Sequence, residues 1–294
     1  KDPDRATIMP MRFASLALSA LMLGALVSGC GNDTPQMGKK SAPKVYKTVV
    51  SLSPSSTEIA AMIFLREIAG RSESCDQPAT VKDKPVVMKG LKPDYEQIAK
   101  IKPDGVMYDP DLFQPSDIEK FKELGIDTYP LSKGDSVAEF CDMIYDFGKF
   151  TQAETLGSEY VDRIMRERQT AMAAAPKPAV TMAVLMGGSG GEHMIAGTEG
   201  FIADVVRSGG AEPVGPAGKQ FVTLNAESFI KMDPEVIIVS GTPDAVLDDP
   251  RFAQMRAIKS ARVFGTNPNV VLRRGAYVER FIKRVSDLAQ SVKR

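Results

Sequence analysis

The sequence predicts an α/β protein made of two lobes with parallel sheets, joined by one long helix. One observation is a pattern that occurs twice, in which a glutamate begins a short apolar helix and a proline seven residues later ends it. The first copy runs from Glu96 to Pro103 and the second from Glu227 to Pro234. The other observation is that residues 151–175, between the copies, carry apolar side chains at helical spacing.

Each copy of the pattern has the features of a helix that leads into a buried strand. Asp94 and Asn225 are the N-cap candidates of the two helices. A proline disfavours helical conformation in the residue before it, so the helix stops there. The apolar runs Val106–Tyr108 and Val236–Val239 follow and have the composition of buried strands. Helices that alternate with strands predict parallel, Rossmann-like sheets in both lobes.

The bulk composition is that of a globular protein long enough for two lobes. The chain has 294 residues, of which 43% are hydrophobic and 25% charged, so each lobe can bury its own core. Lysine plus arginine and aspartate plus glutamate number 37 each. Because this balance recruits neither nucleic acid nor an acidic surface, small neutral partners are at least as well supported.

The amino-terminal part of the chain contains signals for export. Residues 13–27 are uncharged and mostly apolar, which is short for a membrane-spanning helix and typical of a secretory signal. The five residues that end at Cys30 resemble the bacterial lipobox, which implies that Cys30 is lipidated; an ordinary signal peptide with a coincidental cysteine is the alternative. We expect residues 1–30 to form this signal peptide, with an upstream extension before Met11, and residues 31–44 to form a flexible tether.

The first lobe, residues 45–150, begins with a strand that turns into a helix. In the serine-rich turn, Ser55 and Glu58 have the spacing of a capping box. Helix N-termini at the carboxyl ends of parallel strands line ligand crevices in open sheets. Ser53, Ser55 and Ser56 are therefore candidates for one edge of a cleft, and a plain capped turn is the alternative.

The remaining cysteines, Cys75 and Cys141, both fall in the first lobe. Outside the cytoplasm a disulfide between them is permitted. Nothing in their spacing requires a pair, so two separate thiols are the other interpretation.

The connector and the second lobe make up the rest of the chain. Residues 151–175 are expected to form one stiff helix, about 36 Å long for roughly 24 residues, which predicts limited movement of the lobes. The second lobe, residues 176–294, begins with a buried strand and a glycine-rich loop at residues 187–191. A helix ended by Gly209 and a closing helix from Tyr277 complete the predicted elements.

From Val45 onwards the chain resembles the substrate-binding proteins with one rigid interdomain helix, which deliver cobalamin, ferric siderophores or haem to ABC importers. The segments that carry the resemblance are residues 50–58, 75–78, 96–106, 197–210, 227–239 and 257–264. The resemblance implies a monomeric, non-catalytic receptor that uses no cofactor, closes its lobes on a metal chelate and hands it to a permease dimer in the cytoplasmic membrane. With Cys30 it implies an exported protein, lipid-anchored on the periplasmic or cell-surface face of a bacterial membrane.

The same resemblance assigns a role to the two repeated glutamates. It implies that Glu96 and Glu227 each dock onto arginines of one permease subunit. Two like charges at matched places on two lobes suit a partner with twofold symmetry. The alternative is that each glutamate only complements its helix dipole, which is worth about 0.3–1 kcal/mol.

The resemblance also places the ligand cleft between the lobes. The candidate ligand-binding residues are Ser53, Ser55, Ser56, Cys75, Asp76, Tyr108, Asp109, Glu192, His193, Met194, Phe221 and Arg273, with Arg274 as a further candidate.

The stretch from Cys75 to Pro78 bears on which chelate is bound. It is similar to the Asp-Tyr-Pro loop of cobalamin binders, which favours cobalamin over a ferric siderophore, although Gln77 stands where those proteins have an aromatic residue. Haem is the alternative, with His193 as an axial ligand to iron. Because the chain has one histidine, direct capture of a bare metal ion is disfavoured and no direct metal site is expected.

Two functions of other classes are alternatives to the receptor. The glycine-rich loop around Ser189 fits a nucleophile elbow and would make the protein a serine hydrolase. A triad needs a histidine well downstream, whereas His193 follows four residues later, so a loop that allows close backbone approach is favoured. The other alternative is a surface lipoprotein that binds no ligand.

Overall fold

The computed structural model describes residues 44–64, 67–131, 133–187 and 192–292. The predicted signal peptide with Cys30, most of the predicted tether, and Ser189 lie outside the described residues. In the part of the chain that is described, no helix combines the length and the apolar character needed to cross a membrane.

The amino-terminal lobe is a sheet with alternating helices. Its strands are β1 (Thr48–Ser51), β2 (Glu67–Ser72), β3 (Val86–Lys89), β4 (Lys92–Pro93), β5 (Gly105–Tyr108) and β6 (Asp127–Pro130). Its helices are α1 (Pro54–Ile63), α2 (Tyr95–Ile101), α3 (Pro115–Glu123) and α4 (Val137–Thr151). The strand order is β4-β3-β2-β1-β5-β6, with every pair parallel except the edge pair of β3 and β4.

The carboxyl-terminal lobe repeats this plan with a more mixed sheet. Its strands are β7 (Val180–Gly187), β8 (His193–Ala196), β9 (Ala211–Pro213), β10 (Phe221–Thr223), β11 (Val236–Ser240) and β12 (Val263–Thr266). The strands β9, β7, β11 and β12 pair in parallel, whereas β8 runs antiparallel to both β7 and β10. The predicted class, two α/β lobes with parallel sheets, is confirmed for the centre of each sheet, and the antiparallel strands lie towards the edges.

A helix of 20 residues, α5 (Glu154–Ala173), connects the lobes. It begins three residues later than Thr151, because α4 ends there and Gln152 takes a left-handed conformation with φ 56°. The remaining helices are α6 (Gly200–Ser208), α7 (Ala226–Met232), α8 (Asp244–Leu247), α9 (Arg256–Lys259), α10 (Pro268–Leu272) and α11 (Val278–Ser291). Helix α5 buries Tyr160 and Ile164 and packs against α4 and α11.

The repeated pattern builds matching helices, α2 and α7, in the two lobes. The side chain of Asp94 accepts a hydrogen bond from the amide of Gln97 at 2.9 Å, and Asn225 accepts one from Ser228 at 2.9 Å. Both helices end at a residue with positive φ, just before the repeated proline. The two predicted N-caps are confirmed.

A carboxylate that follows each repeated proline is bound to the first strand of its own lobe. Asp104 Oδ2 accepts hydrogen bonds from the Thr48 amide at 3.0 Å and from Thr48 Oγ1 at 3.3 Å. Glu235 Oε2 accepts the same two bonds from Thr181, at 3.0 and 3.3 Å. The internal symmetry therefore extends to individual hydrogen bonds, which the apolar pattern alone did not reveal.

One apolar core runs through both lobes. It includes Ile59 and Phe140 of the first lobe, Tyr160 of the connector, and Val180 and Phe281 of the second lobe, all fully buried or nearly so. Two smaller clusters cover the other face of each sheet. The lobes share a packed interface, so a large rotation between them would expose apolar surface.

Candidate functional site

A groove lies between the lobes, beside the segment that joins α10 to α11. Its cavity has a volume of about 200 Å³. The lining residues, which define the interlobe groove here, are Asp111, Asp135, Phe201, Ile202, Lys219, Gln220, Phe221, Val271, Leu272, Arg273 and Arg274. Small-molecule sites usually have about 300–1,000 Å³, so this cavity is smaller than most.

A second cavity of about 430 Å³ lies on the other side of the segment 273–276. Glu58, Gln77 and Pro78 of the first lobe line it together with Ala276 and Tyr277. Glu58 of this second cavity is bonded to Arg273, which lines the interlobe groove.

The three candidate serines are buried in the turn that begins α1. Ser53 Oγ caps the helix by accepting a hydrogen bond from the Ser56 amide at 3.1 Å and donates to Ser56 Oγ at 2.7 Å. Ser55 is 9% exposed. The predicted capping box of Ser55 with Glu58 is wrong, since Ser53 is the N-cap and Glu58 is bound across the groove.

Arg273 is held by two carboxylates of the first lobe. Its Nη1 donates to Glu58 Oε1 and to Asp76 Oδ1, both at 2.7 Å. Glu58 Oε2 also accepts a hydrogen bond from the Ala276 amide at 3.2 Å. The segment after α10 is therefore fixed to α1 and to the loop after β2.

The directions of the pKa shifts show in which of these groups the ionised form is disfavoured. Burial raises the pKa of Glu58, and its bonds to Arg273 only partly offset this. Burial also opposes ionisation of Asp76, but there the hydrogen bond from Arg273 prevails and the pKa is lowered. Burial disfavours the charge of Arg273, yet its two carboxylate partners raise its pKa. Asp76 and Arg273 are the stably charged pair, and Glu58 pays a desolvation cost.

Two further ion pairs cross the groove. Arg274 Nη2 bonds to Asp111 Oδ2 at 2.6 Å, and Arg274 Nη1 donates to the carbonyl of Gly134 at 3.1 Å. Lys219 Nζ pairs with Asp135. In all four ion pairs, two of which involve Arg273, the cation belongs to the second lobe and the carboxylate to the first.

Asp109 orients the first-lobe side of the groove, whereas Tyr108 packs beneath it and does not line it. Asp109 Oδ1 accepts a hydrogen bond from the Asp111 amide at 3.1 Å and so orients the turn that presents Asp111. Tyr108 is half-buried and packs edge-on against Phe113, with ring centroids 5.5 Å apart. Burial raises the pKa of Tyr108.

Both cysteines outside the signal region are free, buried thiols. Thr57 Oγ1 donates a hydrogen bond to Cys75 Sγ at 2.9 Å, so the thiol packs against the first turn of α1. Cys141 lies in α4, where burial raises the pKa of its thiol to about 11. The sequence left open a disulfide between them or two separate thiols, and the structure has two separate thiols.

His193 is buried away from the groove lining. Its ring packs 5.9 Å from that of Phe252, and its Nε2 lies 3.7 Å from Asp249 Oδ2. Neither ring nitrogen has a hydrogen-bond partner among the described residues. The two flanking candidates do not line the groove either. Glu192 is exposed, and Met194 is half-buried within β8.

Of the candidate residues, Phe221, Arg273 and Arg274 line the interlobe groove, and Asp76 reaches it through Arg273. Sequence reasoning missed Asp111, Asp135, Lys219 and the role of Glu58. The available signal was position, because Asp111 follows the end of β5 and Asp135 follows β6, where parallel sheets bind ligands. Within the described part of the chain, no group of three or more metal-ligating side chains occurs.

Glu96 and Glu227 are both exposed, each in the first turn of its helix. The residue four positions after the cap is buried in both cases, as Ile98 is in α2 and Phe229 in α7. The two carboxylates therefore stand at matched places on surfaces built the same way.

Comparisons with known proteins agree with this architecture. A sequence model of a periplasmic binding protein family matches residues 49–270. The high-affinity haem uptake system protein IsdE of Staphylococcus aureus is 23% identical over 239 residues, which cover 78% of each chain.

Solved structures of similar proteins share the fold. The periplasmic haem-binding protein HutB of Vibrio cholerae superposes with a TM-score of 0.73 at 17% identity, covering 82% of this chain and 98% of that one. The periplasmic vitamin B12 binding protein BtuF of the same organism gives 0.69 at 19% identity, covering 84% and 99%. With two α/β lobes, a groove between them and a family match over most of its length, the chain belongs to the periplasmic binding protein family.

Proposed function

We propose that the chain is the solute-binding subunit of an ABC importer and that it captures a metal chelate in the interlobe groove and passes it on unaltered. The observation that carries this proposal is the groove itself, which residues of both lobes line, with Asp111 and Asp135 lying after the carboxyl ends of β5 and β6. Cargo held in this way can be released by a small displacement of the lobes, since their shared core opposes a large one. Anchoring through lipidated Cys30 completes the proposal and keeps the receptor near its permease.

Haem is the chelate that we place first. IsdE and HutB are named for haem, whereas BtuF is named for vitamin B12. The sequence favoured cobalamin on the stretch that begins at Cys75, but the Cys75 thiol is enclosed in the first turn of α1 and Asp76 is engaged by Arg273. A ferric siderophore is the remaining candidate.

The hydrolase has little support from the described residues. His193 is buried beside Phe252, on the side of the sheet away from the groove, and it approaches Asp249 rather than a hydroxyl group. The known relatives are named for uptake or binding, not for catalysis.

Docking onto the permease is proposed to use Glu96 and Glu227. Their exposure and matched position in the two repeat copies support a partner that offers one cationic site to each lobe. Because neither glutamate lines the interlobe groove, docking and ligand binding can be changed independently.

Absorbance titration tests the proposed function. The full chain is titrated separately with haemin, cyanocobalamin and an iron(III) tricatecholate, since each probe has its own visible spectrum. We expect a saturable spectral change with one equivalent of haemin. Failure of all three probes to give a saturable change would contradict the proposed function while leaving the fold unaffected.

A further inference from the structure

The ion pairs that cross the interlobe groove all have the same polarity. Each joins a cation of the second lobe to a carboxylate of the first: Arg273 to Asp76, Arg274 to Asp111, and Lys219 to Asp135. The groove thus has a row of cations from the second lobe, each of which is covered by an acid of the first lobe.

These covering acids are accessible to water. The side chains of Asp111 and Asp135 are 69% and 54% exposed, and that of Asp76 is 41% exposed. Lys219 is also 54% exposed, so its pair with Asp135 changes an equilibrium constant by about fivefold or less, whereas Arg273 and Arg274 are 17% and 22% exposed. Glu58 differs, because its side chain is 1% exposed and also accepts the Ala276 amide, so it stays on Arg273.

We propose that Asp76, Asp111 and Asp135 occupy the places of ligand carboxylates and leave when an anionic chelate binds to Arg273, Arg274 and Lys219. This inference rests on the proposed function and narrows it to a class of ligand. The cargo is a metal chelate whose apolar body carries two or more carboxylates or equivalent anionic groups on one edge.

The donors on the second lobe are suited to carboxylates. Both bonds from Arg273 use Nη1, and no described residue accepts a hydrogen bond from its Nε or Nη2. A guanidinium with free N–H groups can bind a carboxylate through two parallel hydrogen bonds. Glu58 holds Arg273 in place meanwhile, so the receiving group is oriented before the ligand arrives.

The charges and the apolar wall agree on the ligand class. When the three covering acids leave, Arg273 keeps Glu58, and Arg274 and Lys219 each offer N–H donors to an anionic group of the ligand. Phe201, Ile202, Phe221 and Val271 line the same groove and offer apolar contact to the body of the ligand. A neutral corrinoid offers no anionic group to replace the covering acids.

The experiment compares haemin with haemin dimethyl ester, which has the same macrocycle without free carboxylates. We expect wild-type protein to bind haemin at least about tenfold more tightly than the ester, since two charge-assisted bonds are lost. The triple variant Asp76→Asn, Asp111→Asn, Asp135→Asn removes the covering charges. We expect it to bind haemin about three- to tenfold more tightly than wild type, with the ester unchanged.

A matched control separates local exchange from general electrostatics. The variant Asp83→Asn, Glu123→Gln, Glu159→Gln changes the net charge equally at exposed acids outside the groove, and we expect its haemin affinity to equal that of wild type. If the groove triple variant does not fold, Asp111→Asn with Asp135→Asn carries the same expected direction, because both acids are more than half exposed.

The outcomes distinguish this inference from the proposed function. Equal affinity for haemin, its ester and cyanocobalamin, or weaker haemin binding by the groove variant, would overturn the ligand class and leave chelate binding in place. Absence of binding by every probe would remove both.

Discussion

Gly275 lies in the segment that Glu58 fixes to the first lobe, and replacing it by alanine tests how firmly the two lobes are joined there. A Cβ at this position would lie well inside van der Waals contact with Glu58 Oε2 and 3.3 Å from Glu58 Cδ. Glu58 cannot turn aside freely, because Arg273 and the Ala276 amide hold its two oxygens. The carbonyl of Gly275 is also fixed, since it accepts a hydrogen bond from Tyr160 at 2.7 Å.

The expected cost has two parts. Overpacking of a buried site costs about 1–3 kcal/mol. Loss of one partner from a buried ion pair costs about 3–5 kcal/mol, but Arg273 keeps Asp76, so only part of that is expected. We therefore expect Gly275→Ala to lower the free energy of unfolding by about 2–4 kcal/mol, which for a chain of this size lowers Tm by about 5–15 °C.

Thermal and urea unfolding followed by circular dichroism measure the effect. Gly187→Ala is the matched control, because a Cβ there meets no described atom within 4 Å and its φ is not positive. We expect the control to stay within about 0.5 kcal/mol of wild type. A Gly275→Ala protein as stable as the control would refute the inference that Glu58 fixes this segment.

Three further predictions concern other parts of the chain. Hydrogen bonds from backbone amides lower the pKa of Asp104. The stabilisation by its carboxylate is therefore present above the unfolded pKa of about 3.9 and is lost as pH falls through the folded pKa. The difference in free energy of unfolding between wild type and Asp104→Asn, measured in urea, should shrink below about pH 4. Glu96→Lys with Glu227→Lys should abolish cellular uptake and leave ligand affinity intact, with Glu123→Lys as control; lost affinity would refute the docking role. Because burial raises the pKa of the Cys141 thiol to about 11, iodoacetamide should label it at pH 8 only after unfolding, and rapid labelling of folded protein would contradict its burial.

The architecture could be predicted because it rests on local patterns. Asp94 and Asn225 are caps that act within three residues, and the repeated prolines end helices through their immediate neighbours. The apolar runs after them identify central strands of both sheets. The edge strands β4 and β10 could not be predicted in this way, because they have two and three residues, too few for a periodic signal.

The groove could be predicted only in part, because its contacts join distant residues. Arg273 is 215 positions from Glu58, and Arg274 is 163 positions from Asp111. No feature of the local sequence distinguishes these paired side chains from charged side chains that contact only solvent. Glu58 of α1 illustrates this, since its spacing from Ser55 fits a capping box while its side chain pairs with Arg273 of the other lobe.

The location of the ligand is the central claim, and hydrogen–deuterium exchange with and without saturating haemin tests it most directly. We expect slower amide exchange in the described segments that meet at the groove, residues 73–78, 109–114, 216–221 and 271–276, with little change in α7. Protection confined to the surroundings of His193, or no protection at saturation, would contradict a site between the lobes.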